Sequence, residues 1–110
     1  MGIVLLLGTL LYFGIGRWHQ PDSYTLAVLQ LTGDPAKGET LFAMNCAGCH
    51  GTTAEGHVGP SLHGVTDRRS DIALIEQVTS GKTLPMPQFQ PEPEAMADLL
   101  SYLKTLSPRP

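Results

Sequence analysis

Basic clusters are missing from this 110-residue chain. Seven Lys and Arg face ten Asp and Glu, for a formal charge of −3, and Arg68–Arg69 is the only adjacent pair of positive residues. That scarcity excludes a nucleic-acid footprint. Cysteine is scarcer still: there are two, Cys46 and Cys49. A bridge between residues three apart closes so short a loop that it constrains the chain little, so a disulfide-stapled scaffold is excluded. Sustained two-residue alternation of apolar and polar side chains is absent, and with it any expectation of strands. No internal repeat is visible.

Charge is absent altogether from residues 2–16, GIVLLLGTLLYFGIG, while from Pro21 onward six Lys/Arg stand against ten Asp/Glu, a local charge of −4. Fifteen helical residues reach about 22 Å, against a hydrocarbon core of about 30 Å. Arg17, Trp18 and His19 extend the segment, since Arg snorkels and Trp favours the interface. Residues 1–19 are therefore expected to be an N-terminal membrane anchor (or an uncleaved signal). A cleaved signal is disfavoured because no Lys or Arg precedes the run and no Ala-x-Ala site follows it. A buried core helix is disfavoured because the run is apolar on every face. Leu6 occupies the place where myristoylation at Gly2 needs Ser or Thr. Residues 20–32 read as a linker with one apolar patch, Leu26 to Leu31, resting on the domain or at the membrane surface. Residues 33–107 form the domain and 108–110 a tail.

A domain of roughly 75 residues gains only a few kcal/mol from its core alone and usually recruits a staple. Its pattern predicts an all-α fold of about three helices. Asp34 caps the first and Pro35 suits its first position; Leu41, Phe42, Asn45, Cys46 and Cys49 then recur at spacings of three and four, placing both thiols near its end. The second helix runs from about Ser70 to Thr79, with Ile72, Ile75 and Val78 on one face and Gly81 as its stop. The third covers about Glu92 to Leu106, with Met96, Leu99, Leu100, Leu103 and Leu106 as the buried stripe. The intervening loops, residues 51–69 and the four-proline stretch GKTLPMPQFQPEP, are long for so small a domain. They imply that something other than chain fills the middle.

Three chemistries compete for MNCAGCHGT, residues 44–52. A thioredoxin-type dithiol begins a helix in a βαβ setting, where the dipole lowers the thiol pKa; here the pair ends a helix and no strands are expected. Structural zinc wants four ligands, yet no second Cys-x-x-Cys or His-x₃₋₅-His exists, and His57 and His63 are six apart in a loop. Cys-x-x-Cys-His is also the attachment sequence of a c-type haem. This reading accounts for all three residues: thioethers from Cys46 and Cys49 fix the porphyrin edge, and His50 comes beneath the iron. A ligating histidine needs its other ring nitrogen bonded, and the Pro60 carbonyl in GHVGPSLHG is placed to do it. Gly59, Pro60, Leu62 and Gly64 suit a chain wrapped tightly past a flat cofactor. Met86, between two prolines in LPMPQF, is poorly explained as core packing.

From Gly33 to Leu106 the chain resembles the small class I cytochromes c, in GDPAKGETLF, CAGCH, GPSLHG, MPQF and LLSYLKTL. Its short apolar N-terminus and compact acidic domain are similar to the membrane-anchored M-type cytochromes of cyanobacteria. The absence of a positive region before the apolar run departs from that pattern. The resemblance implies helices wrapped around one covalent haem c, with His50 and Met86 as axial iron ligands. It also implies a contact of the first and last helices at Gly38 and Phe42 against Tyr102, and Phe89 over the haem edge. Met44 lies too close to the attachment site in sequence to reach the opposite face, and Met96 belongs to the core stripe. His63, the rival ligand, is assigned to a tight turn and His57 to an exposed loop.

With both axial positions filled, no open site is left for oxygen or substrate. The implied function is one-electron transfer, without catalysis or a small-molecule substrate. The expected partners are membrane-bound donor and acceptor complexes, respiratory or photosynthetic, with the haem domain on the thylakoid-lumen or periplasmic side. Arg17 alone argues for the opposite side by the positive-inside rule; the attachment motif outweighs it. Two alternatives are a fixed haem subunit of a larger oxidoreductase, and a gas-sensing haem domain if Met86 does not ligate.

Overall fold

The computed structural model describes residues 2–18 and 20–108, the side chains of 15–18 excepted. Seven helical segments are present among them and no strand: α1 (Gly2–Trp18), α2 (Ser23–Leu29), α3 (Pro35–Asn45), α4 (Ala47–His50), α5 (Val65–Arg68), α6 (Asp71–Ser80) and α7 (Pro93–Lys104).

The expected helix signals operate where the sequence places them. Asp34 accepts from the Ala36 amide at 2.9 Å, with Pro35 in the first turn of α3. This carboxylate satisfies a donor that has no intrahelical partner. Ser70 caps α6 through the Ala73 amide, and Gly81 ends it at φ 63°, a left-handed conformation that glycine adopts without penalty. On α7, Met96, Leu99, Leu100 and Leu103 are buried at three- and four-residue spacing, and Leu106 follows them into the core.

The centre of the domain is the crossing of α3 on α7. Gly38 permits it, since a Cβ there would collide with the Asp98 carbonyl and stand 2.8 Å from Tyr102 Cβ. One turn on, the rings of Phe42 and Tyr102 meet at 5.3 Å between centroids, tilted by 49°. Phe42 is buried among the largest enclosed side chains of the core. The contact implied by resemblance is present.

Four features differ from the sequence reading. The stretch expected as a linker contains α2, capped by Asp22 through the Thr25 amide at 2.8 Å, with Thr25 and Val28 buried. Seven residues gave too short a window for a helical period to register, and the helix depends on packing against α6 and α7. Residues 65–68 add the single turn α5 inside the first long loop. The first domain helix stops at Asn45, and the attachment sequence forms its own turn, α4. On α6 Ile75 is buried and Val78 packs against the core as expected, but Ile72 is 37% exposed and Leu74 takes the other buried place; a 3.6-residue period does not keep a strict three-residue spacing on one face.

α1 is helical and all its described large apolar side chains are exposed. Its 17 residues amount to about 25 Å, and among the described residues no helix is long and apolar enough to cross a membrane. His19, the end of the expected anchor, lies outside the described residues, as do 109–110 of the tail.

Candidate functional site

The attachment sequence is held by backbone turns on one side and by the glycine-rich loop on the other. Cys46 closes α3, its amide donating to Phe42 at 2.8 Å, and its own carbonyl accepts from the amides of Cys49 at 3.2 Å and His50 at 3.0 Å. The loop then folds back: the Gly56 amide donates to the His50 carbonyl at 2.7 Å, and the Gly59 amide to that of Cys49 at 2.6 Å. These bonds bring residues 56–60 against the motif. They leave Cys46 half-buried, Cys49 exposed and His50 buried at 8% exposure.

The imidazole of His50 is fixed by its second nitrogen. Nδ1 lies 2.8 Å from the Pro60 carbonyl, so that Nδ1 carries the proton and Nε2 is left as the nitrogen for a metal. Close backbone approach secures the ring, because a Cβ on Gly59 would stand 2.7 Å from His50 Cε1 and 2.9 Å from Nδ1. Leu62, half-buried, packs against the core, and its amide bonds the Ala54 carbonyl at 2.9 Å.

The competing chemistries fit these geometries poorly. Burial, and after it the neighbouring Cys49, pushes the Cys46 thiol up to about 11, the opposite of the lowered pKa that a dithiol redox pair exploits. Among the described residues no group of three or more His, Cys, Asp or Glu is arranged to hold a metal ion. A zinc site at this motif therefore lacks donors. Two free thiols one turn apart, beside a histidine whose Nδ1 is already committed, fit a covalently attached haem.

His63 is occupied elsewhere. Nε2 lies 2.8 Å from the Thr53 carbonyl and Nδ1 3.0 Å from that of Ser107, which tie the ring to the turn that Gly64 opens at φ 74°. His57 is exposed, Met44 is exposed on α3, and Met96 is buried on α7. Met86 is half-buried, its amide bonding the Thr83 carbonyl at 2.9 Å, and its Sδ accepts from Gln77 Nε2 at 3.5 Å. Gln77 was not singled out from sequence; its place one residue before Val78 on an apolar α6 face gave no signal of contact with the 80–92 loop. Phe89 packs on the core and its amide bonds the Val78 carbonyl at 2.9 Å.

A bundle of short helices around a Cys-x-x-Cys-His turn, with the histidine pinned by a following Gly-Pro, defines a c-type cytochrome domain. The chain belongs to the cytochrome c family: residues 33–103 match the family model described as Cytochrome C oxidase, cbb3-type, subunit III. It is 58% identical over 85 residues to the cytochrome c-553-like protein of Synechocystis sp., covering 77% of this chain and 81% of that one. It is 35% identical to cytochrome c2 of Rhodopila globiformis, covering 67% of this chain and 94% of the relative. Among solved structures, cytochrome cL of Hyphomicrobium denitrificans superposes with a TM-score of 0.58 at 28% identity, over 66% of this chain but 46% of its own. One covalent haem c fits the motif at Cys46, Cys49 and His50.

Proposed function

We propose that the chain is a one-electron carrier whose haem c is bound through Cys46 and Cys49, with His50 and Met86 as the axial iron ligands. The observation that carries this reading is the Pro60 carbonyl 2.8 Å from His50 Nδ1, which orients the ring and raises its basicity toward iron. The bound group supplies an iron that changes by one electron. The chain's own contribution is to hold that group against the α3–α7 core and to keep the His50 ring from turning. It also presents a thioether from the 80–92 loop, braced on α6 through Gln77. A His–Met pair raises the reduction potential relative to bis-His ligation. With both axial positions filled, no position remains for a substrate, so transfer of electrons and not catalysis is the assigned role.

The apolar α1 is assigned as a membrane tether for residues 1–19. At about 25 Å it falls short of the hydrocarbon thickness by about 5 Å, a mismatch that local thinning and flanking Arg17 and Trp18 accommodate. The haem domain would then lie on the thylakoid-lumen or periplasmic side, meeting membrane-bound donor and acceptor complexes through brief, small interfaces. A second reading, a fixed haem subunit of a larger oxidoreductase, is favoured by the family model and by the FixP subunit of Bradyrhizobium diazoefficiens. That relative is 30% identical over 80 residues, but this chain covers only 28% of it. Recovery of the holoprotein as a monomer in detergent supports the carrier; tight co-purification with other chains supports the subunit.

The deciding experiment is the ferric absorption spectrum in the far red, where methionine sulfur on haem iron gives a charge-transfer band. The band is expected in the wild type and lost in Met86→Ala. Its absence from the wild type, or its survival in the variant, removes Met86 from the iron. Carbon monoxide binding to the reduced wild type would then mark an open, sensing haem.

A further inference from the structure

We infer that α2 lies on the bilayer surface and sets the orientation of the haem domain, with Leu26, Leu29 and Leu31 as the side chains that touch lipid. The inference rests on the proposed tether. α2 turns Thr25 and Val28 into the core, yet exposes Leu26 by 47% and Leu29 by 39%, and Leu31, two residues past its end, is 40% exposed. Between Gln20 and Gly33 the only charged side chain is Asp22, already engaged in capping.

Chain length names the occupant. α1 ends at Trp18 and α2 begins at Ser23, five steps later, a reach of at most about 18 Å. Because α1 is shorter than the hydrocarbon core, its C-terminal end sits at or within the interface rather than above it. The headgroup region adds only about 5–8 Å on each side. A helix tied this closely to a short span cannot stand far from the lipid. A face bearing leucines gains free energy by entering the headgroup boundary, as interfacial amphipathic helices do. The patch also has depth: Leu29 and Leu31 border a cleft of ≈ 300 Å³ lined as well by Ala97 and Leu100 of α7 and by Asp71 and Lys104, whose charges are paired with each other at 3.0 Å. Through Val28 and α7, an orientation imposed on α2 is imposed on the whole core.

The test uses full-length holoprotein in phosphatidylcholine vesicles containing a diazirine-bearing phospholipid, with photolysis followed by peptide mass spectrometry. Lipid adducts are expected on residues 2–18 and on 26–31, and not on α6 residues 76–80. In Leu26→Ser/Leu29→Ser/Leu31→Ser, whose altered side chains all lie outside the buried core, adducts on 2–18 persist and those near 26–31 fall severalfold. Adducts on 2–18 alone overturn the inference while leaving the tether intact. Adducts on neither segment overturn the tether and this inference with it. Chain-to-chain cross-links through 26–31 in place of lipid adducts assign the patch to a second copy, which also overturns it.

Discussion

The Pro60 carbonyl stands 2.8 Å from Nδ1 of His50, and the glycine before it approaches the same ring too closely to carry a Cβ. The acceptor is therefore backbone, while the space is provided by a missing side chain, and the two separate under substitution. Pro60→Ala keeps the carbonyl and loses only the preset φ, a cost of about 0.4–1 kcal/mol. Gly59→Ala drives a Cβ to 2.7 Å from Cε1 and should cost about 1–3 kcal/mol as overpacking does. Denaturant unfolding of the two holoproteins, followed at the Soret band, checks the order. Equal losses would mean that the ring is not held by close backbone approach.

The α3–α7 crossing makes a separate prediction. Phe42→Ala removes a fully enclosed ring and should destabilise the holoprotein by about 3–5 kcal/mol. A double-mutant cycle with Tyr102→Ala should return a coupling of about 0.5–1.5 kcal/mol for the aromatic pair, beyond simple burial. A coupling near zero would show that the 5.3 Å approach contributes area only.

These two regions were legible in the sequence for different reasons. Cys46, Cys49 and His50 form a contiguous motif, and the Pro60 partner follows from what a ligating imidazole requires. Phe42 against Tyr102, by contrast, came from family resemblance, since a helix crossing leaves no mark in either helix alone. α2 was not legible because seven residues hold too few turns for a period, and its stability comes from Val28 meeting partners distant in sequence. Ile72 misled because it shares a three-residue spacing with Ile75 and Val78, while Leu74, adjacent to Ile75, takes the buried place. Gln77 could not be found at all: its significance lies in where the 80–92 loop returns.

Gln77 donates to the Met86 sulfur at 3.5 Å. With Met86 on the iron, that N–H draws electron density from the thioether, weakening its donation to ferric iron more than to ferrous. Gln77→Leu should therefore lower the reduction potential. A hydrogen bond nets about 0.5–1.5 kcal/mol, and about 1.4 kcal/mol corresponds to about 59 mV for one electron, so the shift should be some tens of mV. Redox titration of the two holoproteins measures it, with the far-red band confirming that the ligand is retained. An unchanged or raised potential would show that the contact does not act on the iron.

The cap of α2 gives a pH dependence whose sign is fixed. The Thr25 backbone N–H, and then the Thr25 side chain, hold the Asp22 carboxyl below its ordinary value. A carboxyl lowered in the folded state stabilises fully above its unfolded pKa, and that contribution is lost as pH falls through the lower folded value. Loss of an N-cap of this kind costs about 1 kcal/mol, a factor of about 5 in local opening. Hydrogen exchange of the α2 amides should thus quicken by about that factor in Asp22→Ala at neutral pH. Below the folded Asp22 pKa, after correction for intrinsic rates, the wild type should lose the charge-assisted part of the cap and approach Asp22→Asn, still opening less readily than Asp22→Ala. Asp22→Asn keeps a capping oxygen without a titrating charge, so its opening should stay flat across the same acid range. If wild-type α2 opens no more readily in acid than at neutral pH, the charge on the carboxylate is not what holds the first turn of α2.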